Sequence, residues 1–164
     1  MVSTVDFAPT FLEAAGVPSS EYKMSGRSLL PWLKGQTPSD WRDAIFSQMN
    51  GLELYYTQRI VMTKDYKYVY NGFDFDELYD LKNDPHEMRN LAHPDLDHSR
   101  SLIKEGKVMN DIADVPWPPL PSNLAEARRD LLERMWTFAQ EHKDMIFNNY
   151  FPEAFAPYGP GISL

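Results

Sequence analysis

Residues 66–91, YKYVYNGFDFDELYDLKNDPHEMRNL, constrain the fold more than any other stretch of the chain. Tyr66, Tyr68 and Tyr70 alternate with Lys67 and Val69, the period-2 pattern of a strand that presents two different faces. Asn71-Gly72 supplies residues that tolerate positive φ, so the chain can reverse there. A second short strand, Glu77–Leu81, follows. Asn83-Asp84-Pro85 ends it, because Pro85 has no N–H for a ladder and biases Asp84 toward an extended or turn conformation. The block is a folding unit in its own right.

Neighbouring segments extend the same sheet. Ala44–Met49 reads as a strand with Ile45 and Phe46 on opposite faces, and Asn50-Gly51 as a turn. Arg59–Thr63 reads as the next strand, joined to Tyr66 across Lys64-Asp65 in a tight hairpin. Asn123–Lys143 is the strongest helical pattern. Asn123 and Glu126 form a capping-box-like start, while Leu124, Ala127, Leu131, Met135 and Phe138 recur along one face, widened by Leu132, Trp136 and Ala139. Asp130 with Arg134 and Arg129 with Glu133 decorate the outside at i,i+4.

Near the N-terminus, Thr4–Ala15 predicts a helix with Ser3 or Thr4 as N-cap, Pro9 in or just after the first turn, and Gly16 as the stop. Its apolar residues fall on two faces, Val5, Ala8, Leu12 and Ala15 on one and Phe7, Phe11 and Ala14 on the other. Such a helix requires burial on both sides. Gly26–Leu33 is a loop feeding a short helical turn, with Ser28 as a cap. The expected fold class is α+β: a small, mostly antiparallel four-stranded sheet packed against a long C-terminal helix, with an N-terminal helix exposing apolar surface. Residues 1–35 form the helix and loop and 40–92 the sheet. Residues 93–121 are an irregular connector in which Ser99–Met109 is weakly helical and four prolines between 116 and 121 impose extended chain. Residues 122–164 form the helix and an irregular tail.

A net charge of -8 makes nucleic acid a poor partner. No apolar run approaches the roughly 20 residues that span a bilayer, and the start has neither a basic segment nor a continuous apolar one, so no membrane anchor or signal peptide is expected within the chain. The absence of cysteine removes thiolate nucleophiles and zinc–thiolate sites and leaves the redox compartment undetermined.

Several tags in order carry a family resemblance: Thr4 to Gly16 (TVDFAPTFLEAAG), Gly26 to Pro31 (GRSLLP), Tyr66-Lys67-Tyr68-Val69, Glu77-Leu78-Tyr79-Asp80-Leu81, Asp84-Pro85-His86-Glu87 and Asn90-Leu91-Ala92. Spread over residues 3–92, they resemble the C-terminal subdomain of the sulfatases, calcium-dependent sulfuric ester hydrolases. The Pro-rich connector departs from the simpler family pattern, in which a helix follows the Asn-Leu-Ala element more directly. The resemblance implies catalytic residues before Met1, in an N-terminal α/β catalytic domain on which the N-terminal helix docks, and a sulfated small molecule or glycan as substrate. It also implies formylglycine and calcium as cofactors of the full-length enzyme, none in this chain, and a periplasmic or secreted parent.

Nothing in the sequence catalyses that reaction alone. The formylglycine precursor, Cys or Ser in a Cys/Ser-x-Pro-x-Arg motif, does not occur. Asp74, Asp76 and Glu77 lack the spacing of a calcium loop and read as a solvated hairpin tip. His86, His93 and His98 are spaced too loosely for a transition-metal site on one helix face. Asp84, Glu87 and Asn90 read as turn and helix caps, Asp6 as a first-turn acid, and Arg27 and Arg59 as salt-bridge partners or contacts for an anionic substrate. The segment Asn50 to Gln58 (NGLELYYTQ) differs in kind, because two adjacent tyrosines between strands must point to opposite sides. Asn50, Glu53, Tyr55 and Tyr56 are therefore the candidate substrate-binding residues, with no catalytic or metal-binding residue assigned. Two alternatives stand beside a sulfatase piece: a free-standing, non-catalytic interaction module, and part of a related phosphodiesterase or phosphonate hydrolase.

Overall fold

The computed structural model describes residues 1–18, 22–50, 57–71, 76–92 and 120–144. The chain divides into two compact units, Met1–Ile45 and Phe46–Leu164. Residues 93–119 of the expected connector, the Ser99–Met109 segment among them, the 151–164 tail, Gly51 and Gly72 lie outside the described residues.

In the first unit a 3-10 turn, Thr4–Asp6, runs into helix α1, Phe7–Ala14. Pro9 takes the third position of α1, where an N–H has no intrahelical partner in any case. Gly16 ends the helix in the left-handed region at φ +70°. There the Val17 N–H reaches Leu12 O (2.9 Å) and the Gly16 N–H reaches Glu13 O (3.1 Å), a Schellman motif. Gly35 does the same after α2, Leu30–Leu33, with the Gln36 N–H on Pro31 O at 2.9 Å.

Helix α1 buries its polar side and exposes its apolar one. Asp6, Pro9 and Thr10 are buried, whereas Val5, Phe7 and Phe11 are 50%, 51% and 69% exposed. Asp6 is the hub of the unit. Its carboxylate accepts the Ser3 N–H (2.8 Å), the Arg27 N–H (2.9 Å) and both terminal nitrogens of Arg42, Nη1 at 2.9 Å and Nη2 at 2.5 Å. Thr10 extends the bracket, donating to Asp6 O (2.6 Å) and accepting the Leu29 N–H (2.8 Å). Gly26 is required for this approach: a Cβ there would sit 1.9 Å from Val5 O.

The second unit is built on a four-stranded antiparallel sheet of order β1-β2-β3-β4: Ala44–Met49, Gln58–Thr63, Tyr66–Asn71 and Glu77–Asp80. This is the α+β architecture expected from the sequence. The turn between β2 and β3 is the two residues Lys64-Asp65, neither at positive φ. Thr63 closes it instead, its Oγ1 accepting the Tyr66 N–H at 3.1 Å.

Register follows the alternation. Arg59 opposes Tyr70, Val61 opposes Tyr68, and Tyr68 opposes Leu78, so these five share one face, and all are buried. Helix α3, Ser122–Glu141, covers that face through Leu131, Met135 and Ala139. Phe46 stacks on Phe138 at 4.1 Å, and Trp136 meets Tyr70 edge-on at 6.1 Å. Val69, on the opposite face of β3, is buried as well, so the period-2 pattern there does not mark a solvated side.

Two details of α3 differ from expectation. It begins at Ser122 with Pro121 as N-cap, and the Leu124 and Ala125 N–H groups bond Pro121 O at 2.9 Å each, so Asn123 is inside the helix and caps nothing. It ends without glycine: Lys143 takes the left-handed position at φ +52°, with the Asp144 N–H on Ala139 O at 2.9 Å. Of the two expected i,i+4 pairs, Asp130–Arg134 closes at 2.8 Å.

Residues 90–92 run beside the outer edge of β4. The Asn90 side chain accepts the Leu78 N–H (3.1 Å) and the Ala92 N–H (2.9 Å) and donates to Asp76 O (3.1 Å), while the Leu91 N–H bonds Leu78 O (2.8 Å).

Candidate functional site

One end of the sheet gathers the polar side chains. β1 ends there at Met49, β2 starts at Gln58, β3 ends at Asn71 and β4 starts at Glu77, so the segments joining β1 to β2 and β3 to β4 leave from the same edge. Gln58 Nε2 donates to Asn71 Oδ1 (2.7 Å), and Asn71 Nδ2 donates to Glu77 Oε1 (3.3 Å). The chain of contacts continues to Tyr79, whose hydroxyl donates to Glu77 Oε2 at 2.8 Å.

Asp76 is part of this end and is not the solvated tip its charge suggested. Half-buried, it accepts the Tyr68 hydroxyl on one oxygen (2.5 Å) and the Asn71 N–H on the other (3.0 Å). Burial pushes its carboxyl above the usual aspartate value, although both hydrogen bonds pull the other way. Burial, reinforced by the negative Asp76 and its hydrogen bond, pushes the Tyr68 hydroxyl far up, so Tyr68 remains a donor.

Arg59 anchors the same end. It is 4% exposed, and its Nε and Nη2 meet the two oxygens of Asp144, itself 5% exposed, at 2.7 and 2.5 Å. Nη1 donates to Met49 O (3.2 Å) and Gln58 O (2.8 Å). This guanidinium is therefore committed to protein groups and does not bind an anionic substrate. Arg27 likewise donates to Asp40 O at 2.6 Å and lies 3.4 Å from its carboxylate.

Of the residues singled out in the sequence, Asn50 is exposed at the end of β1. Glu53, Tyr55 and Tyr56 lie outside the described residues, as do Asp74, His93 and His98. Asp84 caps a turn, taking the Met88 and Arg89 N–H groups at 3.1 and 2.8 Å, but Glu87 pairs with Lys67 at 2.5 Å and Asn90 lines the β4 edge, so neither is a helix cap. His86 is exposed. Sequence reasoning missed Asp76, Gln58 and Asn71 as a polar group and Asp144 as the partner of Arg59. Among the described residues no three His, Cys, Asp or Glu side chains gather as a metal site. The arrangement can orient a polar ligand by hydrogen bonding; it offers no nucleophile.

Residues 1–110 match the family described as N-sulphoglucosamine sulphohydrolase, C-terminal. The chain belongs to this family. This sulfatase C-terminal chain is 42% identical over 99 residues to the N-acetylglucosamine-6-O-sulfatase of Bacteroides thetaiotaomicron, a match covering 53% of the chain and 17% of the relative. It is 33% identical over 103 residues to the multifunctional alkaline phosphatase superfamily protein PehA of Trinickia caryophylli, covering 54% of the chain and 20% of the relative. Among solved structures, it superimposes on an enzyme in complex with its substrate D-glucosamine-2-N,6-O-disulfate. That superposition has a TM-score of 0.57 and 27% identity, over 85% of this chain and 24% of the other. The match thus spans about a fifth of the length of each of these two curated relatives.

Proposed function

We propose that this chain is the C-terminal part of an enzyme that hydrolyses sulfate esters of a glucosamine-type sugar. The chemistry belongs to formylglycine and calcium in a separate catalytic domain, because this chain has no cysteine and no Ser-x-Pro-x-Arg sequence from which formylglycine is made. No step of the reaction runs through residues present here. Family membership together with the 42% identity to a sugar sulfatase carries the reading.

The chain itself has two tasks. The exposed Val5, Phe7 and Phe11 face of α1 docks on the catalytic domain, where burying each large side chain contributes about 1.5–3 kcal/mol. Asn50, Glu53, Tyr55 and Tyr56, leaving the polar end of the sheet between β1 and β2, form part of the rim of the substrate pocket. Tyrosine rings suit sugar faces, and a rim contact acts on binding more than on transfer of the sulfuryl group.

In the full-length enzyme, Tyr55→Ala and Tyr56→Ala should raise KM for a sulfated glucosamine while sparing kcat on a small aryl sulfate. Unchanged KM on every sulfated sugar tested removes the rim assignment. The likeness to PehA supports a second reading, a phosphoester hydrolase. Faster turnover of an aryl phosphodiester than of an aryl sulfate by the same preparation would favour it.

A further inference from the structure

A groove of about 400 Å³, lined by Phe46 of β1 and by one stripe of α3, lies wholly within the second unit. Its floor is aromatic. Phe46 and Phe138 are stacked with 9° between their planes, and His142 stacks on Phe138 at 4.0 Å. The His142 Nδ1–H donates to Phe138 O at 2.9 Å, so the Phe138 ring is held by two neighbours. Both phenylalanines nevertheless remain half-exposed.

The walls are charged. Asp130 is neutralised by Arg134 at 2.8 Å. Glu133 and Glu141 are exposed, and among the described residues no cation pairs with either. Three carboxylates against one guanidinium leave two unbalanced negative charges, with the aromatic floor between them in sequence. Glu133 and Glu141 lie about 12 Å apart along the helix axis. Four residues of extended chain span about 13 Å, and side chains four apart in such a chain point to the same side. Helix α3 lies beyond residues 1–110, so the family match does not account for the helical wall of this groove.

We propose that the groove docks an extended segment of a partner protein that carries two basic residues four positions apart and an aliphatic residue midway. The basic side chains pair with Glu133 and Glu141, and the aliphatic one covers the Phe46–Phe138 stack. Arginine is favoured over lysine, because its fork meets a carboxylate through two N–H groups and its plane packs against aromatic rings. The chain's net charge of -8 steers a cationic segment toward this surface, whereas the same carboxylates repel a sulfated sugar.

Fluorescence anisotropy with the full-length enzyme tests this. The probe is a fluorescein-labelled peptide with two arginines four positions apart, a leucine midway and threonine elsewhere. One control peptide has the arginines three apart, and another has alanine for the leucine. Binding should weaken about threefold in Glu133→Gln and in Glu141→Gln and about tenfold in the double variant, and it should fall as salt is raised. Glu126→Gln, an exposed acid of α3 outside the groove, should change nothing. Both control peptides should bind at least about threefold more weakly than the probe. No binding up to about 1 mM peptide overturns the proposal, as does binding that Glu133→Gln and Glu141→Gln leave unchanged. Equal binding of the peptide with arginines three apart overturns it too, since the surface is then an acidic face without register. Sedimentation at rising protein concentration reads the remaining occupant. Self-association that the double variant abolishes would assign the groove to a second copy and overturn the partner assignment.

Discussion

Gly26→Ala and Gly16→Ala remove the same hydrogen for a methyl, and the structure assigns them different costs. At Gly16 the new Cβ meets nothing within 4 Å, so the penalty is that of a non-glycine residue at φ +70°, about 1 kcal/mol. At Gly26 the Cβ would lie 1.9 Å from Val5 O and 2.5 Å from Val5 C, both backbone atoms that cannot rotate aside. The two segments must part by about 1.5 Å to restore the 3.4 Å of ordinary contact. That shift breaks the 2.9 Å bond from the Arg27 N–H to the buried Asp6 carboxylate, a charge-assisted bond of about 1.5–3 kcal/mol, and strains the Leu29–Thr10 bond beside it, about 1 kcal/mol. The expected loss is about 2.5–4 kcal/mol, at least twice that of Gly16→Ala. Urea unfolding followed by tryptophan fluorescence measures both, since Trp32 and Trp41 lie in the first unit. Amide exchange at Arg27 and Leu29 locates the damage. A Gly26→Ala midpoint no lower than that of Gly16→Ala would refute the close approach and with it the bracket around Asp6.

Asp6 also makes a prediction in pH. Burial raises its carboxyl, but the Arg42 hydrogen bonds and the Arg27 and Ser3 N–H groups outweigh this and hold it below the usual aspartate value of 3.8. A depressed acid stabilises the fold above its unfolded value and loses that contribution as pH falls through the lower folded value. Acid titration of stability should therefore drop steeply below pH 3.8 in the wild type and less in Asp6→Asn, and parallel curves would argue against the ion pair. On α3, Leu131→Ala should cost about 2–5 kcal/mol and the exposed Glu133→Ala a few tenths, and equal shifts in urea midpoint would show the buried seam to be misplaced.

What was legible in the sequence was what neighbours decide. The β3 alternation, the two-residue turn at Lys64-Asp65 and the helix stop at Gly16 all depend on residues within a few positions of one another. Arg42 reaches Asp6 across 36 positions and Arg59 reaches Asp144 across 85, and no local pattern marks either pair. Asp76 misled for a related reason. In a run with Asp74 and Glu77 its charge suggests solvent, and only the folded hairpin brings the Tyr68 hydroxyl to it. Lys143 hid the end of α3 because a left-handed lysine carries none of the signature a glycine gives. Of the candidate site only Asn50 falls among the described residues; the polar contacts at that end of the sheet come from four strand ends that meet only after pairing.

The bracket along β4 bears on how this chain behaves in company. A last strand ordinarily offers a row of free donors and acceptors on which another polypeptide can template itself. At Leu78 both are already taken, the N–H by an amide side chain and the carbonyl by the Leu91 N–H. Asn90 acts there as a one-residue imitation strand, too short to recruit a successor. Ladder growth is thus stopped at Leu78, and fibrous stacking at this edge of the sheet is disfavoured.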